Sequence, residues 1–323
     1  MINLRVAIVY TTETHYDGQI TNPRGEEQIT NTNASLEKAI TELGHEAIFV
    51  PGDFDLLNRI MEVNPDVIFN NCTGITNKST QPQIAGMLEL TNIPFTGSSQ
   101  AAHTLALYKP LAKQVLFFNG IPTPSFNVAN KVDDEFPNIL QFPVIIKPEH
   151  EGSSIGISEK SIAYSAEEAK KITETIINEY KQPALIEEFI LGREFTVGIL
   201  GGLNQQIFPP MEILFNSDSD IYFREVKVND TIQTICPANI EPDLLKRIEA
   251  SVLGAFQALG CRDYARIDVR VDRKGIPYVI DINTLPGLEP GYSDFPRTAS
   301  SAGLSYNQII DCLLRCALER KAG

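Results

Sequence analysis

The stretch YARIDVRVDRKGIPYVIDIN, residues 264–283, constrains this chain more than any other. Two β-like runs flank a polar turn at Arg273-Lys274-Gly275, a pattern that predicts an antiparallel hairpin. Alternate residues of a strand share a face, so Arg266, Asp268 and Arg270 point one way, and Asp281 and Asn283 share a face on the returning strand. A loop of Lys274-Gly275 sets Asp268 directly opposite Asp281, whereas a loop of Arg273-Lys274 makes them diagonal neighbours. Either way the carboxylates fall within roughly 5–8 Å of one another. Facing like charges destabilise a sheet unless a cation lies between them. Two carboxylates and an amide carbonyl are hard oxygen donors, suited to Mg²⁺ held together with substrate phosphates. The plain alternative is a solvated face whose aspartates pair with Arg266 or Arg270. The otherwise apolar YVIDIN argues against it, because that run reads as interior.

A second constellation is VIIKPEHEGSSIGIS, residues 144–158. An apolar strand delivers Lys147, Pro148 ends the ladder, and Gly152, Ser153, Ser154 and Gly156 follow. Glycines let backbone N–H groups approach an anion, hydroxyls add donors and the lysine adds charge, which are the makings of a phosphate cradle. The spacing is not that of a P-loop, and a Gly/Ser turn beside an exposed lysine is the simpler reading. Third is ALIEEFILGREFTVGIL, in which a strand runs through Glu187, Glu188, Phe189 and Ile190 to a turn at Gly192, with Glu194 beyond. Backbone groups of such a connector can pair with an adenine edge, and a carboxylate can accept ribose hydroxyls. An exposed glutamate pair is the default.

The remainder bounds the class. Residues 1–97 alternate apolar strands (RVAIVY, PDVIFNNC) with a helical run in which Leu36, Ala39, Ile40 and Leu43 share a face and Gly44 is the stop. That rhythm predicts a doubly wound parallel sheet. Residues 98–189 read as a small α+β unit: a helix (LYKPLAKQVLFFNG), strands SFNVA, FPVIIKP and GISEK, a second helix and the strand ALIEEFI. Residues 190–323 are strand-rich (EFTVGILGG, QQIFPPMEIL and the hairpin), with helices at 242–259 and the C-terminus. The fold class is therefore α/β and α+β in three units, 1–97, 98–189 and 190–323. With 43% apolar residues the chain can bury a sizeable core. A net charge of −14 argues against nucleic acid and anionic membranes as partners. No apolar stretch reaches the ~18 residues of a span, and scattered cysteines suggest neither zinc nor disulfides. The expectation is a soluble, cytoplasmic protein.

Taken together, GMLELTNIPFTGS, KPLAK, VIIKPEHEGSSIGIS, LIEEFILGREFTVGIL, CPA at 236–238, ARIDVRVD and DINTLPG resemble the D-alanine–D-alanine ligase family of ATP-grasp enzymes. The resemblance covers almost the whole chain and implies an ATP-grasp fold with an N-terminal pre-ATP-grasp unit. It implies ATP held by Lys109, Lys147, Glu187, Glu194 and the Glu188–Ile190 connector, with Gly152, Ser153, Ser154 and Lys227 closing over its phosphates. It also implies a pair of Mg²⁺ ions on Asp268, Asp281 and Asn283, and Arg266 steadying the acyl phosphate and the developing oxyanion. Ser153 and Lys227 join Arg266 as expected catalytic groups. The implied partners are small molecules, an amino acid plus a carboxylate or carbonyl compound, with a homodimer as in related ligases.

The substrate half departs from the family pattern. NNCTGITNKSTQPQ, residues 70–83, lacks the family's His-Gly and Gly-Glu-Asp, and Val228 follows Lys227 where the family has tyrosine. LEPGYSDFPR carries one extra residue, which aligns Ser293 with the family serine and brings Asp294 and Arg297 into the acceptor region. Glu13, in the loop after the first strand, is the remaining carboxylate for a substrate ammonium. The resemblance therefore implies an ADP-forming ligase with an altered substrate site, for example one condensing serine or threonine onto mycosporine-glycine. An authentic D-alanine–D-alanine ligase and a non-catalytic nucleotide-binding regulator are the alternatives.

Overall fold

The computed structural model of the chain describes residues 3–12, 23–75, 80–132, 134, 140–150, 159–202, 204–214 and 233–322. Glu13, Gly152, Ser153, Ser154 and Lys227, named above from the sequence, lie outside the described residues, as does Val228.

The N-terminal run of apolar residues becomes β1 (Arg5–Tyr10), flanked by β2 (Glu46–Pro51) and β3 (Val67–Asn71) in a parallel sheet of order β2-β1-β3. Val6, Ala7, Ile8 and Val9 are all fully buried, which is why this strand shows no polar alternation. Helix α1 (Pro23–Glu42) buries Leu36, Ala39 and Ile40 as expected, and Gly44, at φ +85°, ends it. Helix α2 (Leu56–Val63) and helix α3 (Gln81–Leu90) complete this layer. Beyond α3, Phe95 makes a single parallel bridge to Ile68. The chain leaves the sheet there because the next free donor, Gly97 N–H, is drawn to the buried Asp263 carboxylate at 2.6 Å.

Helix α4 (Gln100–Leu107) and helix α5 (Lys109–Phe118) follow, where the sequence suggested one helix. They break at Tyr108, since Pro110 has no N–H to return to Ala106. The next sheet is antiparallel, ordered β4-β7-β5-β6, from β4 (Phe126–Ala129), β5 (Val144–Pro148), β6 (Ile162–Ala163) and β7 (Ala184–Glu188). Helix α6 (Ala166–Tyr180) covers it, N-capped by Ser165. The expected strand GISEK is corrected in part: residues 159–161 form a 3₁₀ turn, and 156–158 lie outside the described residues.

The C-terminal sheet runs β11-β10-β8-β12-β13, with β9 paired to β8. Its strands are β8 (Gly192–Leu200), β9 (Gln206–Ile207), β10 (Met211–Leu214), β11 (Gln233–Ile235), β12 (Tyr264–Asp272) and β13 (Pro277–Asn283). QQIFPPMEIL divides into two strands because Pro209 and Pro210 cannot donate to a ladder. One face packs Phe195, Val197 and Ile199 of β8 with Ile267, Val269 and Val271 of β12 beneath α7 (Pro242–Ala258). Ala106, Ala112 and Leu116 of α4 and α5 join that core, so the two helices brace this sheet. Helix α8 (Asp294–Ser301) and helix α9 (Tyr306–Ala322) close the chain. The first of these was not expected from the sequence, although Ser293 with a proline in the first turn is a helix-start signal. Among the described residues, no helix is long and apolar enough to cross a membrane.

Candidate active site

The hairpin of β12 and β13 sets Asp268 directly opposite Asp281, but through neither of the two-residue loops considered from the sequence: Val271 pairs with Pro277 and Asp272 N–H donates to Ile276 O, leaving Arg273, Lys274 and Gly275 as the loop. It does so through a β-bulge: Asp268 pairs with Asp281 but Val269 pairs with Val279, leaving Ile280 as the extra residue. The bulge has a consequence for the faces. In an unbroken strand Val279 and Asp281 would share a side, yet Val279 and Ile282 are both buried in the core beside β12. The extra residue turns Val279 inward while Asp281 and Asn283 stay with Asp268 on the opposite face. Three rows then cross the sheet: Glu194 with Arg270, Thr196 with Asp268 and Asp281, and Gly198 with Arg266 and Asn283.

Asp268 is held from several sides. Thr196 Oγ1 donates to its Oδ1 at 2.6 Å, Arg266 donates through Nε and Nη2 at 3.1 and 2.9 Å, and Asn283 Nδ2 lies 3.4 Å from Oδ2. The pairing with Arg266 considered from the sequence is therefore present, whereas Arg270 turns away to Glu194. Asp281 differs: among the described residues nothing donates a hydrogen bond to its carboxylate. A half-buried carboxylate with no donor, facing a second carboxylate, fits a cation, and the donor set of two carboxylates and an amide suits a hard divalent one.

Glycine at 198 lets α8 approach. A Cβ there would lie 2.6 Å from the Phe208 ring and 2.8 Å from Thr298 Oγ1. That close seating brings Asp294 to 3.6 Å from Arg266 Nη1, and Arg297 Nη1 to 3.5 Å from Asp294. Arg297 also donates to Thr234 Oγ1 at 2.6 Å. Asp294 thus sits between two guanidinium groups at the rim of the aspartate face. Ser293 is buried, and its Oγ accepts from Glu289 N–H at 3.2 Å, so its hydroxyl ties the 289–293 loop.

A buried cationic cluster lies alongside. Lys147 Nζ is 2.5 Å from Glu187 Oε1, and Lys113 Nζ is 2.8 Å from Oε2 and 3.0 Å from Thr123 Oγ1. Burial alone would raise the Glu187 carboxyl, but Lys113 and Lys147 outweigh it and hold it below the ordinary carboxylate range. Burial pushes Lys113 down against the pull of Glu187. Glu187, expected to contact nucleotide, bridges two lysines with its two oxygens. Lys113 was missed from the sequence, though KPLAK places it one helical turn after Lys109 on the same face. Lys109, Lys113, Ile280 and Asp281 line one narrow crevice between α5 and β13.

The connector 188–191 is clamped from below. Arg270 stacks 4.5 Å over the Phe189 ring and donates to the carbonyls of Ile190 and Gly192 at 2.8 and 3.2 Å. Its Nη1 pairs with Glu194 at 2.9 Å. Burial raises Glu194 to about 7, only partly offset by Arg270. Glu188 and Phe189 donate their backbone N–H groups to the carbonyls of Ser125 and Pro143, each at 2.9 Å. Gly192, at φ +152°, turns where a Cβ would strike Val271 O.

Comparison with known proteins converges on one group. Residues 115–315 match the family model described as the D-ala D-ala ligase C-terminus. The chain is 34% identical over 300 residues to the uncharacterized protein y4sG of Sinorhizobium fredii, covering 90% of this chain and 88% of that one. It is 32% identical to a D-alanine–D-alanine ligase of Carboxydothermus hydrogenoformans over 89% of this chain and 93% of the relative. A crystal structure of the D-alanine–D-alanine ligase of Bacillus anthracis superposes with a TM-score of 0.78 at 23% identity, over 99% of both chains.

Proposed function

Because this chain belongs to the D-alanine–D-alanine ligase family of ATP-dependent, ADP-forming carboxylate–amine ligases, we propose that it joins an amino acid's amine to a small carboxylate or carbonyl compound through a substrate site of its own. The observation that carries this reading is the rewritten rim. Asp294 lies between Arg266 and Arg297, 3.6 and 3.5 Å from them, on a helix that starts beside the aspartate face. Condensation of serine or threonine onto a ketone acceptor such as mycosporine-glycine is one reaction of this class. The family names of the relatives favour a second reading, authentic D-alanine–D-alanine ligation.

The chemistry follows from what a carboxylate lacks. Oxide leaves badly, so the γ-phosphoryl group is first transferred to the oxygen, making an acyl phosphate with a good leaving group. The amine then attacks, and amide, ADP and phosphate result. In this reading Asp268, Asp281 and Asn283 hold Mg²⁺, which supplies neutralisation of phosphate charge when bound. Lys147 and Lys109 meet phosphate oxygens. The Glu187 bridge keeps Lys113 and Lys147 in place, and Arg270 sets the 188–191 connector that lines the adenine. Arg266 is released from Asp268 towards the developing oxyanion. Gly152, Ser153, Ser154 and Lys227 close over the phosphates and exclude water, and Glu13 receives a substrate ammonium. The three units are 1–97, 98–189 and 190–323, with the helices after residue 98 shared with the last core. The protein works in the cytoplasm, as a homodimer.

Arg297→Ala is expected to raise KM for the amine-bearing substrate by about tenfold or more while leaving KM for ATP within twofold, since a guanidinium suits bidentate binding of a carboxylate. Steady-state kinetics with each substrate varied in turn checks it. A rise confined to ATP would remove Arg297 from the substrate site. ADP release with and without candidate substrates separates a ligase from a nucleotide-binding regulator.

A further inference from the structure

One buried polar cluster is used by none of the steps above. His103 of α4 is 1% exposed and Thr284, directly after Asn283, is 3% exposed. The His103 Nδ1 atom lies 2.6 Å from Thr284 Oγ1 and 2.8 Å from Gln81 Nε2, and Gln81 Nε2 is itself 3.5 Å from Thr284 Oγ1. The three residues come from α3, α4 and the end of β13, up to 203 positions apart in sequence. An amide nitrogen can only donate, so the ring nitrogen that receives it carries no proton. With the Gln81 amide in this orientation, the ring proton sits on Nε2. That Nε2 is buried, and among the described residues it has no hydrogen-bond partner.

Two features give this arrangement a function beyond filling space. A leucine of similar volume would occupy the same position without burying an unpaired donor, so the contacts made by Nδ1 are what the histidine contributes. Those contacts end on the residue next to Asn283, at the point where β13 finishes and the chain departs for the 285–293 loop. With no further ladder partner beyond Asn283, its backbone direction depends on what anchors Thr284.

We propose that Gln81, His103 and Thr284 form a positioning network that fixes the end of β13, so that Asn283 is held beside Asp268 and Asp281 as a ligand for the divalent cation. This rests on the reading of Asn283 as a metal ligand. The network also ties the N-terminal layer to the catalytic sheet, and the ring acts through Thr284, not on substrate.

The test measures Mn²⁺ binding in the presence of ADP by electron paramagnetic resonance, alongside Tm and the Mg²⁺ dependence of ADP formation. His103→Leu and Thr284→Val are each expected to weaken Mn²⁺ binding about tenfold, with KM for ATP at saturating Mg²⁺ within twofold. The double variant should be no weaker than either single one, because both remove the same link. His103→Asn, whose amide oxygen can stand in for Nδ1, should recover most of the affinity. Asn283→Ala is the control. If Asn283→Ala weakens Mn²⁺ binding while His103→Leu and Thr284→Val change only Tm, the network is structural and the proposal is overturned. If Asn283→Ala leaves Mn²⁺ binding unchanged, the metal reading itself fails and the proposal falls with it.

Discussion

Replacing Asp281 with asparagine is expected to lower ADP formation by about 10³-fold or more, with no loss of fold. The side chains are isosteric, so the hairpin keeps its register. Removing one of two facing like charges should leave Tm unchanged or slightly raised. The loss falls on the metal. A neutral amide is a poor ligand for a hard divalent ion, and withdrawing several kcal/mol of charge neutralisation from the transition state corresponds to about three orders of magnitude at ~1.4 kcal/mol per tenfold. ADP release at saturating Mg²⁺, with Tm measured in parallel, is the check. Unchanged turnover would mean that Asp281 holds no metal.

Glu187→Gln should do damage of a different kind. The glutamate joins Lys113 and Lys147, whose side chains are only 3% and 7% exposed. Taking away the shared carboxylate leaves two ammonium groups buried together without a counter-charge. Breaking a buried pair in this way costs about 3–5 kcal/mol, and Tm should fall by roughly 5–15 °C. The lysines can escape the penalty only by losing a proton or swinging out, and either response withdraws the positive charge proposed to meet ATP phosphates. Weaker ATP binding should therefore accompany the lower Tm. Calorimetry of unfolding and of ATP binding tests both at once. A variant with wild-type Tm and wild-type affinity would show that the bridge is dispensable. An Asp281→Asn variant that loses turnover but keeps Tm, beside a Glu187→Gln variant that loses both, separates metal chemistry from electrostatic support.

Much of this was legible in the sequence where local pattern and chemistry agree. The hairpin was readable because Arg266, Ile267, Asp268, Val269 and Arg270 alternate cleanly and Gly275 marks the turn. The parallel N-terminal layer was readable because RVAIVY and PDVIFNNC are nearly continuous apolar runs. What escaped depends on contacts between distant segments. Nothing local to YVIDIN announces that Ile280 is the bulged residue, since the bulge is decided by which of Val279 and Asp281 the core will accept. Lys113 reads as an ordinary helix lysine until β7 brings Glu187 against it from 74 positions away. Glu187 and Glu188 look alike in sequence, yet the sheet buries one between lysines and leaves the other to accept from Gln141 N–H at 2.9 Å near the surface. The pairing of Asp294 with Arg266 follows from the seating of α8 on Gly198, a tertiary fit that a run of eight residues does not reveal.

In the proposed function, a D-alanine–D-alanine ligase frame serves a different pair of substrates. A donor amino acid brings an ammonium into a partly desolvated cleft, and an unpaired charge there costs several kcal/mol. In this chain the stretch that would meet it offers Asn70, Asn71, Cys72 and Thr73, with neither the histidine nor the acid of the family pattern. The most direct measurement supplies ATP and Mg²⁺ with D-alanine alone and, separately, with pooled amino acids and carboxylate or carbonyl acceptors, following ADP and identifying products by mass spectrometry. The expected result is ADP and a new amide or imine product from the pool, with D-alanine alone slower by orders of magnitude in kcat/KM. D-alanine dipeptide formed at about 1–10³ per second, the ordinary rate of an enzyme on its own substrate, would contradict the account.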